Sequence, residues 1–223
     1  MRISLQLDME ELKLNPQYIR QTRDSRLYGL DIPIIGLTGS IATGKSTVSS
    51  LFVKDGLPVI DADQLIHSIY QKEETLNFIQ EIAASAIINK TIEFKILRSL
   101  FFSEPELRSK IETYLYSKLP ETFIQKASEF NGANFLIYDV PLLFEKKLES
   151  LLDLTITVFT PEEVQLERLL KRDKIEIELA KKIIQNQLPI AEKAQKADFI
   201  IDNSQDLPHL LTEYQSLKNK IFQ

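Results

Sequence analysis

A chain of 223 residues, 43% of them hydrophobic, is long enough to bury the core of one α/β domain with a small insertion. Its net charge of −5 comes from interspersed acids and bases, which leaves no electrostatic footprint for nucleic acid or an anionic membrane. The absence of cysteine excludes disulfides, thiolate metal sites and cysteine nucleophiles, two histidines cannot build a zinc site alone, and no apolar run approaches the ~20 residues that span a bilayer. The charged start, Met1-Arg2 to Glu10-Glu11, is not a signal peptide, so a soluble cytoplasmic protein with small partners is expected.

Ahead of the first core strand, Ile3, Leu5 and Leu7 alternate like a short strand, Asn15-Pro16 reads as a turn and Arg20 to Arg26 as a polar stretch. Residues 1–30 are therefore read as an extension of unassigned role, either packed on the sheet edge or a partly disordered arm. Ile34 to Leu37 is an apolar run suited to a buried parallel strand, and Thr47 to Phe52 continues as a helix with Val48, Leu51 and Phe52 on one face. Between them Gly39-Ser40-Ile41-Ala42-Thr43-Gly44-Lys45-Ser46 has the spacing of a phosphate-binding P-loop. Gly39 and Gly44 open backbone angles that let successive amides cradle phosphate oxygens at the positive end of the helix. In that pattern Lys45 reaches the terminal phosphates and Ser46 holds Mg2+, with Ala42, Thr43 and Thr47 completing the nucleotide-binding loop.

Leu57 to Ile60 forms a second short strand that runs into Asp61-Ala62-Asp63. Ligands of open parallel sheets lie beyond the carboxyl ends of the strands, so these two carboxylates are placed toward the phosphates. His67, one helical turn further, reads as an ordinary helix residue. Residues 71–130 are helical in pattern, with a helix start at Ser103-Glu104-Pro105, where the serine is read as the cap. Phe135 to Tyr138 resumes the sheet and ends on Asp139, in the place of a carboxylate that orients magnesium or its waters. Pro141 fixes the strand exit, and Leu142, Leu143 and Phe144 have the character of core. Leu154 to Thr160 is a fourth strand, and Pro161-Glu162-Glu163 opens a helix on which Arg168 and Arg172 share a face. The two arginines are either a surface ion-pair ladder or part of a lid that brings guanidinium groups onto a transferring phosphate. Further helices follow over residues 175–186 and 190–196, then a fifth strand Phe199-Ile200-Ile201, the turn Asp202-Asn203-Ser204 and a last helix over 206–222.

Five stretches in this order resemble the dephospho-coenzyme A kinase family: Gly36 to Val48, Val59 to Asp63, Asp139 to Glu145, Pro161 to Asp173, and Gln187-Leu188-Pro189 through Lys193 and Ala197-Asp198 to Ser204. The resemblance implies an α/β fold with a five-stranded parallel P-loop kinase core, helices on both faces, a helical substrate domain inserted at about 64–131 and a helical lid at about 161–197. It implies ATP and Mg2+ as cofactors and transfer of the γ-phosphate to the ribose 3′-hydroxyl of dephospho-coenzyme A, by a monomer or weak homo-oligomer. It makes Asp63 the general base, with Lys45 and Arg168 as further catalytic groups. Arg172 and Asn203 fall at the nucleotide, and Asp61, Asp139, Pro141 and Leu142 at the acceptor. The family usually has glycine where Ser40, Ala42 and Gln205 stand, and an Asp-Arg pair and a His-Pro pair near Glu93-Phe94 and Ser117-Lys118. A kinase of another nucleotide-like alcohol and a nucleotide-binding homologue with impaired chemistry stay open. A GTP-driven switch is disfavoured, because neither Asp-x-x-Gly nor Asn-Lys-x-Asp occurs.

Overall fold

The computed structural model describes residues 12–223, so the alternation of Ile3, Leu5 and Leu7 lies outside the described residues. In chain order the elements are β1 (Ile34–Gly39), α1 (Lys45–Lys54), β2 (Val59–Asp61), α2 (Ala62–Tyr70), α3 (Glu73–Ile82), β3 (Ile87–Ile88), β4 (Thr91–Ile92), α4 (Phe94–Ser103) and α5 (Pro105–Ala127). They continue with β5 (Leu136–Asp139), β6 (Leu154–Phe159), α6 (Glu162–Asp173), α7 (Ile177–Gln185), α8 (Ile190–Lys196), β7 (Phe199–Asp202) and α9 (Leu207–Ile221). The chain packs as two compact units, one of residues Ala62–Glu129 and one formed by the segments on either side.

The flanking segments build a parallel sheet in the order β2-β5-β1-β6-β7. Strands covered on both faces read as nearly continuous apolar runs, as Ile34 to Leu37 does, whereas Leu154 to Val158 alternates its apolar residues with the buried Thr155 and Thr157. Ile35, Leu37, Ile156 and Val158 share one core cluster with Val48 and Phe52 of α1 and with Leu210, Tyr214 and Ile221 of α9. Each such fully buried side chain contributes about 2 kcal/mol. On the opposite face the Thr157 hydroxyl donates to the Lys193 carbonyl of α8 at 3.3 Å. Parallel register sets Asp61 beside Asp139, and Asp139 beside Leu37, so the carboxyl ends of β2 and β5 flank the end of β1.

The helical unit is held by contacts such as the stacked rings of Phe78 and Tyr114, 4.1 Å apart, and by the hydrogen bond between the Thr75 and Tyr114 hydroxyls at 3.2 Å. It departs from the all-helical reading of residues 71–130 in one place, the β3–β4 hairpin. Asn89 and Lys90 both adopt positive φ, 50° and 60°, as a tight turn between twisted strands requires, and the isoleucines on either side are strand formers rather than helix formers. The helix start at residue 105 also differs in its cap: Ser103 ends α4, Glu104 is the cap residue and Pro105 takes the first helical position.

Residues 12–30 are joined to the base of the sheet. Leu14 is buried and bridges antiparallel to Phe222, and the Tyr18 ring packs edge-on against Phe199 of β7 at 5.3 Å. Arg26, at the end of the polar stretch read from the sequence, is buried: its Nε donates to Asp153 Oδ2 at 2.7 Å, and its other nitrogens donate to the carbonyls of Gln21, Leu30 and Asp31. Asp153 is fully buried and also accepts from the amide of Ile34, the first residue of β1, at 2.9 Å. Burial pushes the Asp153 carboxyl up, but Arg26 and the amides of Gln21 and Ile34 outweigh it and hold the group below the ordinary carboxylate range.

Every motif with a chemical rationale follows Pro33, so removal of residues 1–27 is expected to leave chemistry measurable, but it also strips Arg26 from a buried carboxylate. Arg26→Met should lower folding stability by about 3 kcal/mol, read as a fall in urea midpoint. Because the folded-state pKa of Asp153 is depressed, its contribution is complete above the unfolded carboxylate pKa of about 4 and is lost as pH falls below it. The acid limb of the wild-type stability curve should therefore flatten in the variant, and an unchanged midpoint would contradict the assignment.

Candidate active site

β1 delivers the chain to Gly39 and α1 begins at Lys45, so residues 40–44 make the turn between the sheet and the positive end of a helix. Two glycines are sterically required there. A β-carbon on Gly39 would lie 2.6 Å from Thr43 Oγ1 and 3.1 Å from the Val158 carbonyl, and one on Gly44, at φ 87°, would lie 2.1 Å from Asn203 Nδ2. Ser40 does not need a positive φ and donates its hydroxyl to the Leu188 carbonyl at 3.3 Å, whereas Ala42 does adopt the left-handed conformation, with φ 61°. The loop thus holds glycine-like angles at residue 42 despite the side chain, at a cost of about 1 kcal/mol.

Side chains from three directions fix this loop. Thr43 Oγ1 donates to the Ser40 carbonyl at 2.8 Å, closing the turn on itself. Asn203, at the end of β7, donates Nδ2 to the Thr43 carbonyl at 2.8 Å. Gln187, between α7 and α8, accepts the Ile41 amide at 2.7 Å. The Thr160 hydroxyl lies 3.2 Å from the Thr43 carbonyl and accepts from Arg168 Nη1 at 3.3 Å, which brings that guanidinium to the loop.

Lys45 extends from the first position of α1 and forms an ion pair with Asp139, which is 1% exposed at the end of β5. Burial raises the proton affinity of Asp139 above the ordinary carboxylate value, the neighbouring Asp61 adds to that, and Lys45 opposes both. Ser46 and Thr47 are exposed in the first turn of α1. Beside them an open groove of about 530 Å³ runs past Ser50, Leu51 and Lys54 to Leu207 and Leu211 of α9.

Of the candidate residues, Gly39, Ala42, Thr43, Gly44, Lys45, Ser46, Thr47, Asp61, Asp139, Arg168 and Asn203 gather at the carboxyl ends of β1, β2, β5, β6 and β7. Asn203 is placed to hold the loop backbone from behind, with its amide engaged by Thr43. Arg172, one turn beyond Arg168, grips Asp173 through two hydrogen bonds of 2.7 and 3.1 Å and is exposed, an arrangement closer to the surface ladder than to a phosphate clamp. Asp63 stands in the first turn of α2, two residues along the chain from Asp61. The Pro141 carbonyl accepts from the Thr38 hydroxyl at 3.1 Å; Leu143 and Phe144 are core, as read, but Leu142 is 37% exposed. Sequence reasoning assigned no role to Gln187, Thr160, Glu145 or Lys193. The first, third and fourth fall inside stretches that carried the family resemblance, and that was the available signal.

Residues 33–209 match the sequence profile of dephospho-CoA kinase. A dephospho-CoA kinase of Fusobacterium nucleatum subsp. nucleatum is 37% identical over 188 residues, 83% of this chain and 97% of that protein. Among solved structures, a Thermus thermophilus protein superposes with a TM-score of 0.75 at 28% identity, over 85% of this chain and 97% of its own. The dephospho-CoA kinase of Campylobacter jejuni superposes with a TM-score of 0.61 at 27% identity, over 84% and 96%.

Ala42→Gly should relieve the left-handed strain and stabilise the fold by up to about 1 kcal/mol, less the entropy that glycine adds to the unfolded chain. A urea titration checks it: a clear loss of stability would mean that the alanine methyl packs more than the strain costs.

Proposed function

Because the chain belongs to the dephospho-CoA kinase family, we propose that its described residues divide the last step of coenzyme A biosynthesis, transfer of the ATP γ-phosphoryl group to the ribose 3′-hydroxyl of dephospho-CoA, among the following roles. The observation that carries the reading is the meeting of Lys45, at the start of α1, with Asp139 and Asp61 at adjacent strand ends beside the loop. Phosphoryl transfer asks for positioning and charge neutralisation more than for covalent help, and this arrangement supplies a cradle of backbone amides, a cation and strand-end carboxylates.

In this reading the loop from Gly39 to Thr47 takes the ATP phosphates, and Lys45 exchanges Asp139 for phosphate oxygens when the nucleotide arrives. The groove between α1 and α9 gives room for the rest of the nucleotide. Asn203 and Thr160 keep the Thr43 carbonyl turned away from the phosphates, and Arg168 adds positive charge on the lid side. The exposed Ser46 hydroxyl and the strand-end carboxylates form the hard oxygen donor set that suits Mg2+, which when bound neutralises phosphate charge. Asp61 would orient a water of that ion or the substrate domain, Asp63 accepts the proton of the attacking hydroxyl, and Pro141 and Leu142 form the exit of β5 on the acceptor side. The reading includes a cytoplasmic enzyme that works as a monomer or weak homo-oligomer; no helix among the described residues is long and apolar enough to cross a membrane.

Incubating the protein with ATP, Mg2+ and a panel of nucleotide-like alcohols, with products identified by mass, should give coenzyme A from dephospho-CoA. Robust turnover of another alcohol with none of this one would refute the acceptor assignment. Asp63→Asn keeps the shape of the side chain and removes its proton affinity, so kcat should fall by about 10²- to 10⁴-fold with KM for ATP nearly unchanged. Asp61→Asn should instead shift the Mg2+ requirement. Near-normal kcat for the first variant beside a collapsed second one would reverse the two roles.

A further inference from the structure

Lys193 is fully buried in α8, although a lysine in a sequence such as Ile190-Ala191-Glu192-Lys193 reads as a solvated position. Its ammonium donates to Glu145 Oε1 at 2.8 Å and to the Pro141 carbonyl at 2.8 Å. Neither acceptor serves it alone. The Pro141 carbonyl also takes the hydroxyl of Thr38, the residue before Gly39, and Glu145 Oε1 also takes the amide of Leu188 at 2.9 Å. Leu188 in turn receives the Ser40 hydroxyl on its carbonyl, and its neighbour Gln187 holds the Ile41 amide.

These bonds close a circuit. It leaves β1 at Thr38, passes through the exit of β5 at Pro141 and Glu145, crosses to the joint between α7 and α8 at Gln187 and Leu188, and returns to the phosphate loop at Ser40 and Ile41. Lys193 is the only charged donor in it among the described residues. Burying an ammonium against a carboxylate often stabilises a fold no better than hydrocarbon of the same volume, so packing alone does not account for a lysine here. A charge-assisted bond does give what hydrocarbon cannot, which is one fixed distance between two segments.

We infer that Lys193 and Glu145 are positioning residues for ATP: their ion pair hangs the α7–α8 joint on the exit of β5, and Gln187, held by that joint, sets the first half of the phosphate loop. The inference rests on the reading of that loop as the ATP site. It goes beyond that reading in making the joint between two lid helices part of the ATP-binding apparatus, through residues that touch no phosphate.

The test uses the full chain and reads ATP binding by calorimetry with no acceptor present, a result that does not depend on which alcohol is phosphorylated, and reads the KM for dephospho-CoA separately by turnover. If the wild-type protein fails to bind ATP, the proposed function fails; the inference is judged on variants of a protein that binds. Lys193→Met with Glu145→Gln removes the ion pair, leaves no unpaired charge and keeps an acceptor for the Leu188 amide. This double variant should unfold at close to the wild-type urea concentration yet bind ATP about 10-fold more weakly, with KM for the acceptor unchanged. A double variant with wild-type ATP affinity would overturn the inference, as would equal losses for ATP and acceptor. Gln187→Leu gives an independent reading should the double variant fold poorly: it breaks the circuit at its last link and should weaken ATP to a similar degree, and wild-type affinity would again overturn the proposal. Combining all three substitutions should cost no more than the worse of the two sets, because they cut one circuit; multiplied losses would show that they act separately.

Discussion

No side chain fits at residue 44, because the amide of Asn203 already occupies the space where a β-carbon would stand. That approach ties the end of β7 to the start of α1 and fixes everything that follows. Asn203 continues the pairing of β7 with β6, its amide donating to Phe159 at 2.8 Å, while its side chain holds the Thr43 carbonyl. The phosphate loop is therefore hung from the rim of the sheet and does not rest on its own turn geometry alone. With Thr43 held, Lys45 emerges at a set place and meets Asp139. Dipoles fixed in this way need no reorganisation when charge arrives, which is the condition under which a loop of amides can stabilise a phosphoryl group in transfer.

Buried charges mark both rims of the sheet. At the carboxyl ends stand Lys45 with Asp139 and Lys193 with Glu145; at the amino ends stands Arg26 with Asp153. The first two lie where the chemistry is read, and the buried pair at the base has a different service. Asp153 binds the first amide of β1, and Arg26 satisfies the rest of that carboxylate, so the strand that leads to the loop is anchored at its far end. Asp153 lies within the stretch that matches the kinase family, whereas Arg26 lies ahead of it. The segment over residues 12–30 is thus joined to the kinase core through a partner that the shared part of the chain supplies.

The two arginines that share a face of α6 meet different partners. Arg168 turns to Thr160 and so to the loop, while Arg172 is satisfied by its own neighbour. Equal spacing on a helix places two residues on one side but says nothing of what lies opposite each. The same distinction separates Leu142 from Leu143 and Phe144: three apolar residues in a row, of which the first faces out and the others close the core.

The strands, their helices and the loop with its lysine were legible in the chain, because each is set by local chemistry: apolar runs bounded by turn residues, glycines where backbone must approach backbone, a proline at a helix start. The carboxylates at strand ends were legible for a related reason, since a parallel sheet brings the ends of its strands to one rim whatever their order. The strand order itself, the burial of Arg26 and Lys193, the acceptor that Gln187 offers to Ile41 and the turn at Asn89-Lys90 were not. A buried ion pair depends on two residues far apart in sequence, 127 positions for Arg26 and Asp153, and neither one alone differs from a solvated charge. Local composition cannot signal such a pair, because the low-dielectric surroundings that give it meaning exist only once the sheet has closed around it.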